Sequence, residues 1–504
     1  MSLFIGIDSG TQSVKAVVYD AETKRVIADG GSPHHLISGL PSGHMEQDPQ
    51  QWLDAMDQAI HEALSSVDRS AVRGIGVSGQ QHGFVPLDKS DQIIRPAKLW
   101  CDTSTVEECE IITDTLGGED SVISMLGNRM LPGFTAPKIL WLKKHEPENF
   151  DRLSKVLLPH DYLNLYLTGE WFMEFGDASG TALMDVRTRV WSDEVIGAID
   201  GRIRECLPGL SSSSEACGVV RKGISEKYGI PASVVVSAGG GDNMMGAIGT
   251  GNVSHGIATA SFGTSGTIYA FNDEPVIDPK GEIAAFCDST GGFLPLMCTM
   301  NVTTVSEGFR KLFEKDHHEL ASAIERAPIG AGGLVMLPYL EGERTPSIPS
   351  GSGLMIGLNG KTLQSDYMIR AAVEGVTMGM NFGLNRLREL GVTADEVRLT
   401  GGGSRNQAWR QIIADIFGTS AVCMREDEGA ALGAALQAAW CVSRQSDPQL
   451  SISSIVEGAV ELNESSRVEP EPSAVEFYQE LQAFHNILSK SMEPLYEVHS
   501  RLKS

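Results

Sequence analysis

The sequence predicts an α/β protein made of two related domains. Two stretches of similar form, the first hairpin Leu3–Asp20 and the second hairpin Ala258–Ala270, each read as strand, hydroxyl-rich turn, strand. They begin about half a chain apart, and such internal similarity is typical of duplicated domains. Strand-like and helix-like segments also alternate through residues 397–440, which indicates a compact β-α-β-α series. We therefore expect domains at residues 1–246 and 247–504, with an interdomain cleft.

Length and composition agree with two large domains and exclude several function classes. The chain has 504 residues, 41% of them hydrophobic, which suffices for more than one core. Its 40 basic and 65 acidic residues give a net charge of −25 without a basic run, which disfavours nucleic acid and anionic membranes as partners. No apolar run approaches the ~20 residues of a membrane span, and the eight scattered cysteines form no C-x-x-C pair. We expect a cytoplasmic protein without a zinc site or a disulfide framework.

The turn of the first hairpin, Asp8–Ser13, has the composition of a phosphate-binding turn. Small and hydroxyl residues, among them Thr11 and Ser13, expose backbone N–H groups and hydroxyls toward one point. A carboxylate at Asp8 is suited to Mg²⁺, held directly or through water. An ordinary hairpin with a polar tip explains this turn alone equally well. The similar turn Gly263–Ser265 in the second hairpin favours the phosphate interpretation.

Several helix and strand signals follow the first hairpin. Asp48 fits the N-cap of a helix, and Gln51 occupies the position where a capping box places Glu or Gln. A strand is expected to end in Leu99–Asp102, and the Ser-rich segment Pro208–Glu215 reads as a surface connection.

A polar loop between glycines, the glutamine loop Gly79–Gly83, follows the predicted strand Ile75–Ser78. Gln81 and His82 follow shortly after the end of this strand, which is a suitable place for the recognition of hydroxyl groups. A histidine that only caps a turn explains His82 equally well.

The stretch Val234–Gly249 predicts a buried strand, three glycines, an aspartate and a helix of small residues. Glycines allow close approach of backbone or ligand, so Asp242 is expected at a helix start facing the cleft. Helix N-capping is the common alternative for such an aspartate. The two roles compete, because a carboxylate tied to backbone N–H groups is a weaker base.

The second half predicts further α/β structure. The glycine loop Gly401–Ser404 lies between a strand and a helix, as in nucleotide-phosphate sites, although it lacks the Lys-Ser/Thr of a P-loop. The other predicted elements are the strands Gly332–Leu340, Val397–Thr400 and Ala421–Met424, the helices Asp366–Leu390, Asn406–Phe417 and Gly429–Trp440, a loop over Pro448–Val468, and a helical tail Ser473–Lys490 interrupted by Pro494.

These motifs together resemble the FGGY family of sugar kinases, which share the actin/hexokinase-like (ribonuclease H-like) ATPase fold. The resemblance covers nearly the whole chain, from the first hairpin to about Trp440. Its carrying segments are Met45–Pro49, Gly79–Gly83, Gly133–Trp141, Leu157–Leu163, Gly239–Asn243, Ser261–Gly266, Leu337–Pro346 and Leu399–Arg410. The resemblance implies phosphorylation of a sugar with ATP and Mg²⁺, most closely D-xylulose to D-xylulose 5-phosphate.

The resemblance also implies roles for individual residues. Asp242 corresponds to the general base, and Asp8 to the residue beside the metal and the phosphates. The implied binding residues are Thr11, Ser13, Gly263, Thr264 and Ser265 for phosphate, Gly402, Gly403 and Asn406 for adenosine, and Gln81, His82, Asp242 and Asn243 for sugar hydroxyls. The chain departs from the family where Gln81 replaces a common Met, which alters the expected sugar contact. It departs again at Tyr367, a change that we expect to be structural.

Two other functions stay open from the sequence. A sibling kinase for ribulose, ribitol or gluconate is compatible with Gln81. A nucleotide-operated binding module without catalysis is a different class, and it has no use for a hydroxyl base such as Asp242. The expected partners are a small sugar and ATP, and a homodimer is a further expectation.

Overall fold

The computed structural model describes residues 2–426 and 429–502. The chain divides into two compact units that are not continuous in sequence. The first unit comprises Met1–Ser254, Phe271–Leu294 and Glu428–Val460, and the second comprises His255–Ala270, Pro295–Asp427 and Glu461–Ser504. The domain boundary predicted between residues 246 and 247 stays a prediction.

The first unit is built on one mixed sheet. Its strand order is Ala216–Val219, Val235–Ser237, Val72–Gly79, Leu3–Ser9, Ser13–Asp20 and Arg25–Pro33, and Gly240–Gly241 pairs with Val72–Gly79 as a seventh strand. The three strands from residue 3 to residue 33 form an antiparallel meander. Leu3–Ser9 then pairs in parallel with Val72–Gly79, which pairs in parallel with Val235–Ser237.

Helices cover both faces of this sheet, because successive strand residues point to opposite sides. Ile5 and Ile7 share one buried cluster with Trp52 of the helix Pro49–Ala63. Phe4 and Val17, whose side chains belong to the other face, cluster with residues of the helix Gly429–Arg444, the Gln437 helix.

The second unit repeats this topology. Its strand order is Leu296–Thr299, Gly266–Ala270, Gly256–Phe262, Ala394–Thr400, Ser420–Met424 and Leu462–Val468. The first three strands again form an antiparallel meander, two parallel strands follow, and the last edge strand is antiparallel. The predicted duplication of an α/β domain around two hairpins is confirmed.

The remaining elements surround these sheets. The other helices of the first unit are Val106–Thr115, Glu119–Leu126, Thr135–His145, Pro147–Arg152, Pro159–Thr168, Phe175–Ala178, Asp193–Ile199, Ile203–Cys206, Lys222–Tyr228, Asp242–Gly249 and Ile452–Val456. Those of the second unit are Thr303–Leu312, His317–Arg326, Ser365–Glu389, Gln407–Phe417 and Pro472–Ser500. Short paired strands are Glu46–Gln47 with Ala97–Lys98, Val85–Leu87 with Lys155–Leu157, Phe172–Glu174 with Gly209–Ser211, Met184–Asp185 with Val190–Trp191, and Val335–Leu337 with Leu354–Ile356. Across both described ranges, no helix is long and apolar enough to cross a membrane.

Two helix signals had different outcomes. Asp48 caps the helix Pro49–Ala63 as predicted, since its side chain accepts a hydrogen bond from Gln50 N at 3.0 Å. The predicted capping-box role of Gln51 is wrong, because its Oε1 accepts from His35 N at 3.2 Å and so ties the helix to the preceding loop.

Several predicted boundaries also need correction. The segment Pro208–Glu215 contains the strand Gly209–Ser211, and the strand expected in Leu99–Asp102 already ends at Lys98. The predicted loop over Pro448–Val468 contains the helix Ile452–Val456 and an edge strand.

The predicted interruption at Pro494 is wrong, because the C-terminal helix runs from Pro472 through Pro494 to Ser500. Pro494 is exposed, so water can reach the backbone carbonyl that its missing N–H leaves without a partner.

Candidate active site

Three parallel strands of the first unit end at one edge of the sheet. The strand register sets Asp8 beside Ser78, and Ser78 beside Gly240. This edge of the sheet therefore brings together the turn of the first hairpin, the glutamine loop and Asp242. The carboxyl ends of parallel strands are where α/β sheets bind ligands.

Asp242 is the first residue of the helix Asp242–Gly249, the Asp242 helix. Its Oδ1 accepts from Asn243 N at 2.8 Å and from Asn243 Nδ2 at 3.0 Å. Partial burial, followed by the like charges of Asp8 and Asp177, raises the pKa of Asp242 to about 8. Both described hydrogen bonds reach the same oxygen, so the second oxygen can accept a proton.

Asp8 is half-buried, and its Oδ1 accepts from Ser78 Oγ at 2.8 Å. Its charge acts on Asp242, which means that two carboxylates share this edge of the sheet. Carboxylate oxygens are the ligands that Mg²⁺ prefers in proteins, and a divalent cation would relieve the repulsion between the two groups. The donor set therefore fits the predicted metal.

The glutamine loop lies against the Asp242 turn. Gln81 is 4% exposed, and its Oε1 accepts from Asn243 Nδ2 at 2.8 Å. His82 has a left-handed φ of 62°, and its carbonyl oxygen accepts from Lys138 Nζ at 2.8 Å and from Thr135 Oγ1 at 3.2 Å. The residues predicted to bind sugar, Gln81 and Asn243, are thus in direct contact with each other.

The turn of the first hairpin is held by hydrogen bonds from side chains whose role the sequence did not predict. Thr11 Oγ1 donates to Gln80 Oε1 at 3.3 Å and accepts from Trp100 Nε1 at 3.0 Å. Gln47 Nε2 donates to the Thr11 carbonyl at 2.7 Å, and Gln47 Oε1 accepts from Gln80 Nε2 at 2.9 Å. The Thr11 hydroxyl is therefore engaged within the protein, whereas Ser13 is exposed. Gln47 and Gln80 lie in the segments Met45–Pro49 and Gly79–Gly83 that carry the family resemblance, and no other pattern in the sequence indicates their role.

A buried charged cluster lies behind the glutamine loop. His160 Nδ1 lies 2.7 Å from Asp177 Oδ2, and His160 Nε2 lies 3.1 Å from Asp161 Oδ1. Burial lowers the pKa of His160, but Asp161 and Asp177 outweigh it and raise the value to about 9. Burial raises the pKa of Asp161 and of Glu174 to about 7. The backbone of His82 donates a hydrogen bond to Asp177, so the cluster supports the glutamine loop from beneath.

The Gln437 helix holds the glycine run Gly239–Gly241 that precedes Asp242. Gln437 is fully buried; its Oε1 accepts from Gly239 N at 2.8 Å and from Ser237 Oγ at 2.9 Å, and its Nε2 donates to the Gly239 carbonyl at 2.9 Å. The same helix approaches the Asp242 helix very closely, since a Cβ on Gly433 would lie 1.8 Å from the Met245 carbonyl oxygen. Nothing in the local sequence marks Gln437 as a support of the site.

The second unit brings its own predicted residues together. In the second hairpin the Gly263 carbonyl accepts from Thr303 N at 2.9 Å, which ties the turn to the helix Thr303–Leu312. Gly401 has a φ of 81°, and a Cβ there would lie 2.7 Å from the Phe262 carbonyl oxygen, so the glycine loop packs directly on the hairpin. Thr264 and Gly402 are exposed at these two adjoining turns. Gly403 is buried beside Phe262, and Ser265 is half-buried in the turn.

Asn406 has a structural role in the second unit. Its Oδ1 accepts from Trp409 N at 3.2 Å and caps the helix Gln407–Phe417. The contact with adenosine that the resemblance implies for Asn406 stays a prediction.

One acidic cluster outside the strand edge resembles a metal site by composition. Ligand atoms of His44, Glu46 and Asp102 lie within 4.8 Å of one another. The fully buried Lys98 ammonium lies 3.2 Å from each of the two carboxylates and already supplies their positive partner. These contacts make the cluster an internal ion-pair network.

Comparisons with known proteins agree with this arrangement. The profile for the FGGY family of carbohydrate kinases, N-terminal domain, matches residues 3–249, and the profile for the C-terminal domain matches residues 258–442. The chain belongs to the FGGY family of carbohydrate kinases. It is therefore a phosphotransferase whose acceptor is a sugar or a related alcohol.

Individual relatives of this FGGY kinase match over nearly their full lengths. It is 42% identical to a xylulose kinase of Haemophilus influenzae over 95% of this chain and 97% of that protein. A crystal structure described as a xyloylose kinase from Brucella ovis is 31% identical with a TM-score of 0.90, covering 98% of this chain and 100% of that one. A gluconate kinase from Lactobacillus acidophilus reaches a TM-score of 0.91 at 24% identity, covering 99% of both chains, and shows the fold alone.

Proposed function

We propose that the protein phosphorylates the C5 hydroxyl of D-xylulose with ATP and that Asp242 is the general base. One observation carries the proposal: Asp242 lies at the carboxyl ends of parallel strands with a pKa of about 8 and only one oxygen hydrogen-bonded by the described residues. A general base is most effective when its pKa lies near the working pH. The relatives named xylulose kinase support D-xylulose as the sugar.

In the proposed reaction the oxygen of the C5 hydroxyl attacks the γ-phosphorus of ATP. The new oxygen–phosphorus bond forms as the bond from the γ-phosphorus to the bridging oxygen breaks, and ADP leaves. The hydroxyl proton passes to Asp242. Positioned base catalysis of this kind contributes about 10²–10⁴-fold.

The carboxylate Asp8 is the proposed holder of Mg²⁺, directly or through water. A bound Mg²⁺ neutralises phosphate charge. The Asp8 side chain is kept in place by Ser78, whose strand also carries the glutamine loop. The cation and the sugar loop are thus supported by neighbouring strands.

Each unit has proposed substrate contacts of its own. Gln81, His82 and Asn243 bind sugar hydroxyls beside Asp242. Backbone N–H groups and hydroxyls of the two hairpin turns bind phosphate, and the glycine loop binds the adenosine side of ATP. The proposed phosphate and adenosine contacts are Thr11, Ser13, Gly263, Thr264, Ser265, Gly402, Gly403 and Asn406.

A turnover assay tests the proposal. The purified protein, with ATP and Mg²⁺, should phosphorylate D-xylulose in preference to D-ribulose, ribitol and gluconate. Asp242→Asn should lower kcat by about 10²–10⁴-fold while ATP binding, measured by calorimetry, persists. Near-normal turnover by this variant would refute the role of Asp242.

A second candidate function is phosphorylation of another sugar or polyol. The observation that favours it is the polar Gln81 amide in the loop expected to bind the sugar. Preferred turnover of ribulose, ribitol or gluconate in the same panel would establish it. ATP binding without turnover of any sugar would instead support a non-catalytic binding module. The homodimer stays a prediction.

A further inference from the structure

We propose that Gln81 is a positioning residue for Asp242 and acts on it through the side-chain amide of Asn243. The inference rests on the proposed function, since it assigns a support to the proposed base. It goes beyond the expected sugar contact of Gln81, which requires no connection to Asp242.

The three side chains form a continuous hydrogen-bonded chain. Asn243 Nδ2 lies 2.8 Å from Gln81 Oε1 and 3.0 Å from Asp242 Oδ1. A side-chain amide nitrogen carries two hydrogens, so it can donate to both acceptors at once. Because the Gln81 oxygen accepts one hydrogen, the amide of Asn243 is oriented with its other hydrogen toward Asp242.

The position of Gln81 is itself closely defined. The residue is 4% exposed and packs on the backbone that leads to Asp242. A Cβ added to Gly241 would lie 2.6 Å from Gln81 Cγ and 3.0 Å from Gln81 Nε2. A residue with a Cβ at position 241 would therefore require the Gln81 side chain to shift.

The residue at position 81 decides whether these hydrogen bonds can link all three side chains. A methionine is similar in length and apolar bulk, but it offers no oxygen that accepts the hydrogen of an amide. In Gln81→Met the amide of Asn243 would lose its acceptor at position 81 and could rotate away from Asp242. The backbone bond from Asn243 N to Asp242 Oδ1, at 2.8 Å, would remain.

Steady-state kinetics with D-xylulose and Mg-ATP tests the proposal. Gln81→Met should lower kcat by about ten-fold, the effect of losing one hydrogen bond that acts in the transition state, in addition to any rise in KM from the lost sugar contact. A raised KM with unchanged kcat would overturn the proposal, because it indicates a sugar contact alone. Gln81→Leu repeats the test if the methionine variant does not fold.

A double-mutant cycle tests whether the effect passes through Asn243. Asn243→Ala should lower kcat at least as much as Gln81→Met, and adding Gln81→Met to Asn243→Ala should lower it no further. Additive losses would overturn the proposal. The matched control Gln445→Met removes an exposed amide just beyond the Gln437 helix and should leave kcat at the wild-type value.

The failure of this inference is distinguishable from failure of the proposed function. If Asp242→Asn is inactive while Gln81→Met retains the wild-type kcat, the base assignment stands and the positioning role is refuted. If Asp242→Asn remains active, the proposed role of Asp242 as the base is refuted, and the positioning role of Gln81 is refuted with it.

Discussion

Replacing Gln437 with methionine should destabilise the first unit without changing the volume of the side chain much. The substitution removes the partners of the Gly239 N–H and carbonyl groups, which lie at 2.8 Å and 2.9 Å from the Gln437 amide. Leaving a buried polar group without a hydrogen bond costs about 1–3 kcal/mol, so these two groups together predict a loss of about 2–6 kcal/mol. Such a loss is a large part of the about 5–15 kcal/mol that stabilises a typical domain.

Equilibrium urea unfolding followed by circular dichroism measures this loss. The midpoint of the transition should fall clearly for Gln437→Met, whereas the exposed Gln445→Met should stay within about 0.5 kcal/mol of wild type. We also expect a lower kcat in the surviving folded fraction, because the bonds of Gln437 hold the glycine run that leads to Asp242. Equal unfolding midpoints for the two variants would refute the reasoning that Gln437 fixes this backbone.

Two further predictions concern the same unit. The apoprotein should have a higher Tm at pH 6 than at pH 9 in low salt. The pKa of His160 is raised to about 9, so the stability that its charged form contributes is lost as the pH rises through that value. The carboxyl groups of Asp161 and Glu174, with pKa values of about 7, destabilise the fold further as they ionise. A Tm that rises toward pH 9 would contradict this sign. Gly433→Ala should destabilise the protein by about 1–3 kcal/mol, because the added Cβ would overlap the Met245 carbonyl oxygen. A urea unfolding midpoint equal to that of the wild type would show that the two helices can separate at little cost in free energy.

The local sequence was sufficient to predict the duplicated hairpins and the aspartate after the glycine run. Hairpins, strand–glycine–helix junctions and N-caps depend on neighbouring residues, so their patterns can be read along the chain. Asp48 and the two strands of the first hairpin are of this kind, and the structure confirms them. The predicted turn Asp8–Ser13 is too long, because the strands extend to Ser9 and begin again at Ser13.

The supports of the site could not be predicted in this way. Gln437 meets Gly239 from a helix that lies far along the chain, and a lone glutamine in an apolar helix has no distinctive pattern. His160 is a second example of such a support, since its partner Asp177 comes from another helix. The error at Gln51 has a related cause, because a bond to the His35 backbone displaced the local capping bond.

The Gln437 helix also has a consequence for biosynthesis. Phe4 and Val17 leave the ribosome among the first residues, but the helix that covers them is translated only after residues 255–270 and 295–427 of the second unit. The nascent chain must carry an apolar sheet face through most of its own synthesis, a situation that favours chaperone binding and aggregation. A fragment that stops before residue 429 lacks the cover for that face, and the backbone before Asp242 acquires its support only when translation is nearly complete.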